Sequence, residues 1–414
     1  MNLKQVTNIR ELNNPADMPA IERIWREVGW VDGDEEKVVK QFFSTGDTLV
    51  ATINEVPECS VHTISGEIRL QQTDLALCVV SAVTTSRIAR GHAFAQRLTA
   101  LQLQRSAQRG SLVAALGMFD QGFYDLVGFG SGGYDHQFTF DPGDLLVDHR
   151  VATPRRLSTD DYVEIHKAMV NRRKVNGSVV IDSDEMMGAV LKWSKNGFGL
   201  GYGEPGELTH FMWFSGEAER GPYRVEHMAY QDSEQLMQLF SLLKSLADQV
   251  YSVKMMEPPE VQLQDLLKRP FRNSALSAKG PHAASHESFA WWQLRILDVS
   301  ACIAGFSTRL PALRFSLRVS DPLEEILQVE SAGDWLGVGG DYIVELAESS
   351  SATLGQDETL PLLECSVNAL TRMLFGVAPA SSLAISDDLS APSDLLAYLD
   401  EVISLRTPHT GWDF

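Results

Sequence analysis

The residues that most clearly suggest chemistry lie between Val83 and Ala93, where an apolar strand joins a helix. They read Val-Thr-Thr-Ser-Arg-Ile-Ala-Arg-Gly-His-Ala. A loop of this kind directs successive backbone N–H groups at one place, and the helix N-terminus adds partial positive charge. Gly91 and Ala93 are small enough for a pyrophosphate to approach the backbone, and Arg87 and Arg90 can donate charge-assisted hydrogen bonds. The pattern predicts an anion site, although an ordinary strand-to-helix turn has the same signature.

Two further segments carry groups that can move a proton. Residues 122–130 read Gly-Phe-Tyr-Asp-Leu-Val-Gly-Phe-Gly, a short predicted helix that Gly128 can end. A phenol such as Tyr124, with an ordinary pKa of about 10, can protonate a thiolate whose thiol has one of about 8.5. The sequence closes on Gly-Trp-Asp-Phe, and the apolar Trp412 and Phe414 are unusual in a free tail. Taken alone, Tyr124 is more simply a packing residue and Phe414 a frayed end.

Aromatic and acidic side chains also gather near the N-terminus. The set consists of Trp25, Trp30, Asp32, Asp34 and Glu35. Aromatic rings and carboxylates together can hold a cation. Core tryptophans beside a solvated acidic turn give the same pattern, so the residue types leave both readings open.

The composition fits a cationic partner and excludes several classes of function. The 414 residues carry 35 Lys plus Arg against 55 Asp plus Glu, a formal net charge of −20. Such a chain attracts polyamines, aminoglycosides or lysine-rich peptides and lacks the basic face that nucleic acid requires. The 4 cysteines and 10 histidines form no cluster of metal-ligand spacing, so we expect no metal. With no predicted signal peptide or membrane span, we expect a cytoplasmic location.

Alternating strand and helix patterns predict a mixed α/β chain with a repeated architecture. In the first third, strands 68–75 and 76–83 lead to a helix over 91–109 and a strand over 112–116. The middle third repeats this order with a strand over 223–230 and a helix over 233–246. The second strand-to-helix joint has no glycine and carries Asp232 and Glu234, which would repel a pyrophosphate.

These motifs resemble those of a known superfamily. Residues 83–93 are similar to motif A of the GNAT N-acetyltransferases, Arg/Gln-x-x-Gly-x-Gly/Ala, although Ile88 stands at the Arg/Gln position and Arg87 one place early. Residues 122–130 resemble motif B of that superfamily. Together with the repeat that lacks a glycine loop, and with the segments 291–299 and 317–322, they make the whole chain look like a member of the Eis (enhanced intracellular survival) family.

The resemblance implies tandem GNAT folds followed by a sterol-carrier-protein-like α+β domain. The implied domains are a catalytic, acetyl-CoA-binding domain at 1–148, an acetyltransferase-like domain without the CoA loop at 149–299, and the sterol-carrier-like domain at 300–414. A homo-hexamer, a dimer of trimers, is also implied.

The resemblance further implies direct transfer of acetyl from acetyl-CoA to an amine of a cationic small molecule or a lysine side chain. Tyr124 would be the general acid and the Phe414 carboxylate the general base. The cofactor residues implied are Ser81, Ala82, Val83, Arg87, Ala89, Arg90, Gly91, His92, Ala93, Phe94, Phe119 and Asp120. For the substrate amine we expect Trp30 and Asp32, from the aromatic and acidic set near the N-terminus, together with Asp413. No cysteine stands in the motif and Ser86 has no evident base, so no covalent intermediate is expected.

Two other functions stay open at this point. If Ile88 weakens the cofactor site, the chain could be a non-catalytic acyl-CoA or ligand-binding protein. Alternatively, the last domain could carry a lipid in an apolar tunnel. A turnover assay beside a binding titration separates the first alternative, and analysis of extracted lipid separates the second.

Overall fold

The first third of the chain places a strand, two helices and a meander before a strand–helix–strand unit. The computed structural model describes residues 6–31, 36–120, 122–148, 152–216, 218–268, 283–331 and 333–414. The elements in chain order are β1 (Thr7–Glu11), α1 (Met18–Val28), α2 (Glu36–Phe43), β2 (Asp47–Ile53), β3 (Val56–Leu70), β4 (Thr73–Thr85), α3 (Phe94–Gln108), β5 (Val113–Gly117) and β6 (Gly130–Ser131). Short 3-10 helices lie at Arg87–Ala89 and Tyr124–Val127.

The middle third is dominated by strands. Its elements are β7 (Asp135–Phe140), β8 (Arg155–Leu157), α4 (Tyr162–Asn171), β9 (Val179–Ile181), α5 (Asp184–Trp193), β10 (Phe198–Glu204), β11 (Glu207–Gly216), β12 (Tyr223–Ala229), α6 (Ser233–Ser245), β13 (Val253–Met256) and β14 (Ser285–Phe289). A 3-10 helix at Leu263–Leu266 follows β13.

The last third mixes short helices and strands. Its elements are β15 (Trp292–Ile296), α7 (Val299–Ala304), β16 (Leu313–Ser320), α8 (Leu323–Glu330), β17 (Gly340–Leu346), β18 (Ser351–Leu354), β19 (Leu362–Ser366), α9 (Val367–Leu374), α10 (Ala380–Ser386), β20 (Leu389–Ser390) and α11 (Ser393–Val402). The mixed α/β prediction is confirmed.

One strand prediction in the first third was wrong. The expected strand over residues 68–75 spans a chain reversal, because β3 ends at Leu70 and β4 begins at Thr73. The two strands pair in register as an antiparallel hairpin, with Leu70 opposite Thr73. Gln71 turns the chain at a φ of +54°. Left-handed backbone is unusual outside glycine, so the residue types gave no signal for this turn.

Strand pairing divides the chain differently from its sequence order. One unit comprises residues 1–133, 176–182 and 291–414, and the other comprises 134–175 and 183–290. β15 lies between β5 and β6 in the first unit, and β7 pairs with β13 and β14 in the second. The domains expected at 1–148 and 149–299 would instead place β7 in the first domain and β15 in the second. Partner choice depends on contacts far apart in sequence, which the alternation within each strand does not encode.

The first unit contains two sheets. The larger has the order β1-β2-β3-β4-β5-β15-β6, with β9 paired to β3, and the smaller has the order β18-β17-β16-β19-β20. α3 covers the larger sheet with Phe94, Leu98 and Leu103, all of which are buried. Each such side chain contributes roughly 1.5–3 kcal/mol by its removal from water. The helix start is therefore fixed against the strands that precede it.

The second unit contains one sheet, of order β14-β7-β13-β12-β11-β10-β8. α6 packs its buried Leu239, Phe240 and Leu243 into a core that includes residues of β7, β11, β12 and β13. Its strand–helix–strand order is the one already seen in β4, α3 and β5.

Candidate active site

The cleft of the first unit begins where β4 and β5 part. The two strands run parallel but pair only from Leu77↔Val113 to Val79↔Ala115. Beyond that point β4 continues to Thr85, and its register with β3 shifts between Ser60 and His62. Ala82 takes a φ of +50° in this irregular part of β4. The bulge bends β4 and leaves part of its edge available to a ligand.

A cleft of about 510 Å³ occupies this position. Eight residues expected at the cofactor site line it, namely Val83, Ala89, Arg90, Gly91, Ala93, Phe94, Phe119 and Asp120. Its lining also includes residues that the sequence analysis missed, namely Val28, Thr84, Thr85, Ala95, Gln96 and Phe123. Thr84 and Thr85 lie within the predicted loop, and extending the motif by one helical turn would have added Ala95 and Gln96. Ser81, Ala82, Arg87 and His92 were also expected and are not among the lining residues.

The N-terminus of α3 opens on the cleft without a side-chain cap. Its N-cap is Ala93, in left-handed conformation at φ +53°, and its first turn has no acidic residue. The N–H groups of Phe94, Ala95 and Gln96 find no acceptor among the residues that the structure describes. Gly91, at φ +83°, lets the loop turn into the helix. Unpaired donors at the positive end of a helix are suited to an anion.

The two arginines of the loop have different surroundings. Arg87 Nη2 donates to the backbone oxygen of Glu27 at 3.1 Å, and the Arg87 N–H donates to the Glu27 carboxylate at 2.9 Å. This second bond holds the pKa of Glu27 below its usual value. Arg90 is exposed and lines the cleft. Arg90 is thus the loop cation placed for an anion, whereas Arg87 fixes the loop to α1.

The neighbouring His92 and Ile88 play no part in the cleft lining. His92 Nδ1 lies 3.2 Å from the oxygen of Ala89, and its ring stacks on Phe94 at 5.2 Å. Ile88 is 66% exposed. The side chain of Ile88, at the Arg/Gln position of the motif, therefore neither donates a hydrogen bond nor fills the cleft.

Tyr124 begins the 3-10 helix that follows β5. Its ring packs against Phe123 at 4.9 Å, Phe119 at 5.9 Å and Phe129 at 6.2 Å, and it is 2% exposed. Burial raises the pKa of Tyr124, and the nearby Cys59 thiol raises it further. The phenol therefore stays protonated at neutral pH, and the same shift makes it a weaker acid than an exposed tyrosine. Cys59 in turn contacts Thr85 Oγ1 at 3.2 Å, and Thr85 lines the cleft.

The cysteines are unsuited to nucleophilic work. Cys59, Cys78, Cys302 and Cys365 are free and buried. Burial raises the pKa of Cys59, Cys78 and Cys365 to about 12, and it raises that of Cys302 as well. Because the thiolate is the nucleophilic form, these thiols would not accept an acyl group at neutral pH.

The C-terminal segment runs through the first unit to the end of β5. Its backbone is bound at His409, which donates to Asn176 at 2.9 Å, and at Thr410, which accepts from Val179 at 2.9 Å. Trp412 is buried, and the Phe414 ring lies 5.9 Å from that of Trp291. A Cβ on Gly117 would lie 3.1 Å from the Phe414 oxygen. The tail is therefore ordered, and its carboxyl group lies beside the last residue of β5.

The expected substrate residues are only partly placed. Trp30 lines the cleft, is 43% exposed and meets Trp25 edge-on at 5.4 Å. Asp413 is exposed next to Phe414. Asp32, with Asp34 and Glu35, lies outside the residues that the structure describes. In the described part of the chain, no group of three or more His, Cys, Asp or Glu could hold a metal ion, and no helix is long and apolar enough to span a membrane.

The N-terminal residues match a known family. Residues 8–132 match the family model for an acetyltransferase (GNAT) domain, which spans the cleft, the α3 N-terminus and Tyr124. The chain is therefore an acyltransferase, and GNAT acetyltransferases use acetyl-CoA. No curated protein sequence matches the chain.

Solved structures extend the similarity to the whole chain at the level of the fold. A conserved protein of unknown function and probable N-acyltransferase from Enterococcus faecalis V583 is 16% identical with a TM-score of 0.80, covering 99% of this chain and 100% of that one. A GCN5-related N-acetyltransferase from Kribbella flavida is 17% identical with a TM-score of 0.77, covering all of both chains. Eis1 from Mycobacterium abscessus is 16% identical with a TM-score of 0.74, covering 99% of this chain and 100% of that one.

Proposed function

We propose that the chain is an Eis-like N-acetyltransferase that acetylates an amine of a cationic small molecule, such as a polyamine or aminoglycoside, or a lysine side chain. The observation that carries the proposal is the place of the Phe414 carboxyl group, beside Gly117 at the end of β5. Two residues further on, Phe119 lines the cleft. The Phe414 carboxyl group thus lies beside the strand whose continuation carries Phe119, at the cleft, and then Tyr124.

The first unit offers separate places for the parts of acetyl-CoA. The uncapped α3 N-terminus, Gly91 and Arg90 suit the pyrophosphate. Residues 83–85 line the cleft on the part of β4 that has parted from β5. An extended arm containing amides can bond to such an edge as a further strand would. This arrangement would bring the thioester toward the end of β5.

Tyr124 and Phe414 divide the proton transfers. Transfer forms a C–N bond between the amine and the acetyl carbon and breaks the thioester C–S bond. Tyr124 gives its proton to the departing sulfur, and the proton of the attacking nitrogen leaves toward the Phe414 carboxylate, directly or through water. A carboxylate is a weak base toward an ammonium group. Its larger contribution is to stabilise the positive charge that develops on nitrogen.

The charge and aromatic content of the chain support a cationic acceptor. The net charge of −20 raises the local concentration of cations, and Trp30 presents an aromatic surface at the cleft. The proposal includes a hexameric assembly, on the resemblance to the Eis family alone. A monomeric mass by light scattering at micromolar concentration would remove that part.

A one-residue extension tests the role of the Phe414 carboxylate. Adding Gly after Phe414 moves the charge by up to about 3.5 Å. We expect turnover to fall by ~100-fold, with acetyl-CoA affinity unchanged. The matched control is Phe414→Leu, which keeps the carboxylate in register and should lose much less. An extended enzyme with wild-type turnover would direct the search for the base to Asp32 and Glu35.

A screen of amines for thiol release from acetyl-CoA tests the activity itself. Polyamines, aminoglycosides and lysine peptides should include at least one acceptor. Tight acetyl-CoA binding with no release for any of them would favour the non-catalytic ligand-binding alternative.

A further inference from the structure

We infer that the last third of the chain positions the Tyr124 turn, with Asn368 and Arg295 as positioning residues for catalysis. The inference rests on the proposed role of Tyr124 as the general acid. It gives the region beyond residue 290 a task separate from that of the Phe414 carboxylate.

Asn368 holds the turn at two points. Its Nδ2 donates to the backbone oxygen of Phe129 at 2.7 Å and to that of Asp125 at 3.3 Å. Asn368 lies in the first turn of α9, where the Ser366 side chain caps the helix by accepting from the Ala369 N–H at 3.2 Å. The Asn368 side-chain amide therefore binds one carbonyl within the 3-10 helix and one just after it.

Arg295 holds the same turn from within the protein. Its side chain is fully buried, and Nη1 donates to the Val127 oxygen at 2.8 Å. Nη2 forms an ion pair with the buried Asp321, which also accepts from the Val338 N–H at 2.7 Å. A buried charge left without its partner is strongly destabilising, so we expect Arg295 and Asp321 to stay paired.

Two glycines make these approaches possible. A Cβ on Gly128 would lie 1.5 Å from Arg295 Nη1, and one on Gly130 would lie 2.6 Å from the Asn368 backbone oxygen. The Gly-Phe-Gly pattern after the turn is therefore required by the elements that anchor it. Gly128 also ends the 3-10 helix at a φ of +83°.

The consequence is a turn whose orientation is set from outside its own segment. The turn closes on itself through the Gly128 and Phe129 N–H groups, which donate to Asp125 and Tyr124. Its orientation within the unit depends on carbonyls bound by Asn368 and Arg295. A general acid must come within about 2.6–3.2 Å of its partner atom, and a misplacement of ~1 Å can cost ~100-fold in rate. Loosening these anchors should therefore lower kcat while leaving acetyl-CoA binding nearly unchanged.

Asn368→Ala tests this inference against a control on the same helix. We expect kcat to fall about tenfold or more, with KM for acetyl-CoA within about twofold of wild type. Thr371→Val is the control, because Thr371 Oγ1 accepts from the Ile296 N–H at 3.1 Å and so ties α9 to β15 without touching the turn. The control should lower the melting temperature and lower kcat much less than Asn368→Ala does. Asn368→Ser keeps a donor of shorter reach and serves if the alanine variant melts too early to assay.

Combination with Tyr124→Phe gives a readout that a purely structural role would not move. In the Tyr124→Phe background, Asn368→Ala should cause little further loss of kcat, since the group being positioned is gone. The inference is overturned if Asn368→Ala retains wild-type kcat, if it lowers kcat no more than Thr371→Val, or if its full effect persists without the phenol. Failure of the proposed function is distinguishable, because Tyr124→Phe alone would then keep wild-type turnover, and both ideas would be lost.

Discussion

Two strand-to-helix joints, β4–α3 in the first unit and β12–α6 in the second, follow the same order of elements. In each, the strand before the joint pairs in parallel with the strand after the helix over a short stretch only. β4 pairs with β5 from Leu77 to Val79, and β12 pairs with β13 at Tyr223 and Arg224. The backbone architecture is therefore repeated, and the difference lies in what meets the helix N-terminus.

The second joint satisfies its own donors. Asp232 caps α6 by accepting from the Gln235 N–H at 2.9 Å, and Glu234 adds a carboxylate in the first turn. The Gln235 side chain accepts from the Gln231 N–H at 2.8 Å. The α3 start has neither a side-chain cap nor an acid. The α3 start thus leaves backbone donors available to an anion at its joint, whereas the α6 start uses donors of its first turn for its own cap.

The turns after the second strands differ in the same way. Tyr124 begins the 3-10 helix after β5, and Leu263 begins the one after β13. Both side chains are buried, so both fill a core position. Only the first carries a group that can donate a proton.

Gly91→Asp breaks the comparison most severely, because it brings an acid to the first joint as in the second. We expect acetyl-CoA affinity to fall by more than about 100-fold, because the introduced carboxylate repels the pyrophosphate and occupies its place at the start of α3. Calorimetric titration measures this affinity. Gly110→Asp is the matched control at the other end of α3. Gly91 and Gly110 have φ of +83° and +94°, and a Cβ on either meets nothing within 4 Å. Equal loss of binding in both variants would mean that backbone strain, not the anion site, is responsible.

Tyr124→Phe removes the hydroxyl group by which the turn after β5 differs from the turn after β13. Turnover should fall by roughly 100-fold or more, the usual size of a general-acid contribution, while acetyl-CoA affinity stays at the wild-type value. Tyr202→Phe is the control, since Tyr202 is a buried tyrosine of the second unit whose hydroxyl donates to Ala152 at 3.2 Å. It should leave steady-state turnover unchanged. Unaltered turnover in Tyr124→Phe would show that the two turns do not differ in catalysis.

Each unit also buries a neutral histidine, which makes both sensitive to acid. Burial lowers the pKa of His62 to about 3; burial, with Arg172, lowers that of His227 to about 4. The unfolded chain takes up protons below about pH 6.5 while the folded chain does not, so stability falls as pH falls from 6.5. Between pH 7 and pH 5.5 each histidine costs about 1 kcal/mol. His62→Gln should remove that much of the difference in unfolding free energy between pH 7 and pH 5.5, as measured by urea denaturation. An unchanged difference would mean that His62 is protonated in the folded chain.

Asp232→Ala gives the smallest expected effect and tests whether the second joint is only capped or has lost its site. Loss of the cap should lower stability by about 1 kcal/mol, read from urea denaturation. Titration should show no second molecule of acetyl-CoA bound, because Glu234 remains in the first turn. Binding of a second molecule would show that the cap alone had closed a usable site.

The local features of the site could be predicted from the sequence because they depend on neighbouring residues. The apolar run of β4, the small residues of the loop and the missing acids of the α3 start stand together in the chain. The contrast with Asp232 and Glu234 is local in the same sense. These features required no knowledge of distant partners.

The rest of the site depends on long-range contacts that no residue pattern encodes. Arg87 matches a phosphate ligand by type, but its partner Glu27 lies 60 residues away. Asn368 and Arg295 act through backbone carbonyls, which every residue has, so their side chains gave no signal. β15 pairs with β5 in the first sheet, although it follows the residues of the second unit in the sequence. Its alternation of apolar and polar residues fits either sheet.

The stoichiometry of acetyl-CoA binding tests the central claim most directly. If an incomplete helix start makes the site and a capped one does not, calorimetric titration of the wild-type chain will give one acetyl-CoA per chain. A value of two would show that the β12–α6 joint also binds, and would contradict the account of what distinguishes the two joints.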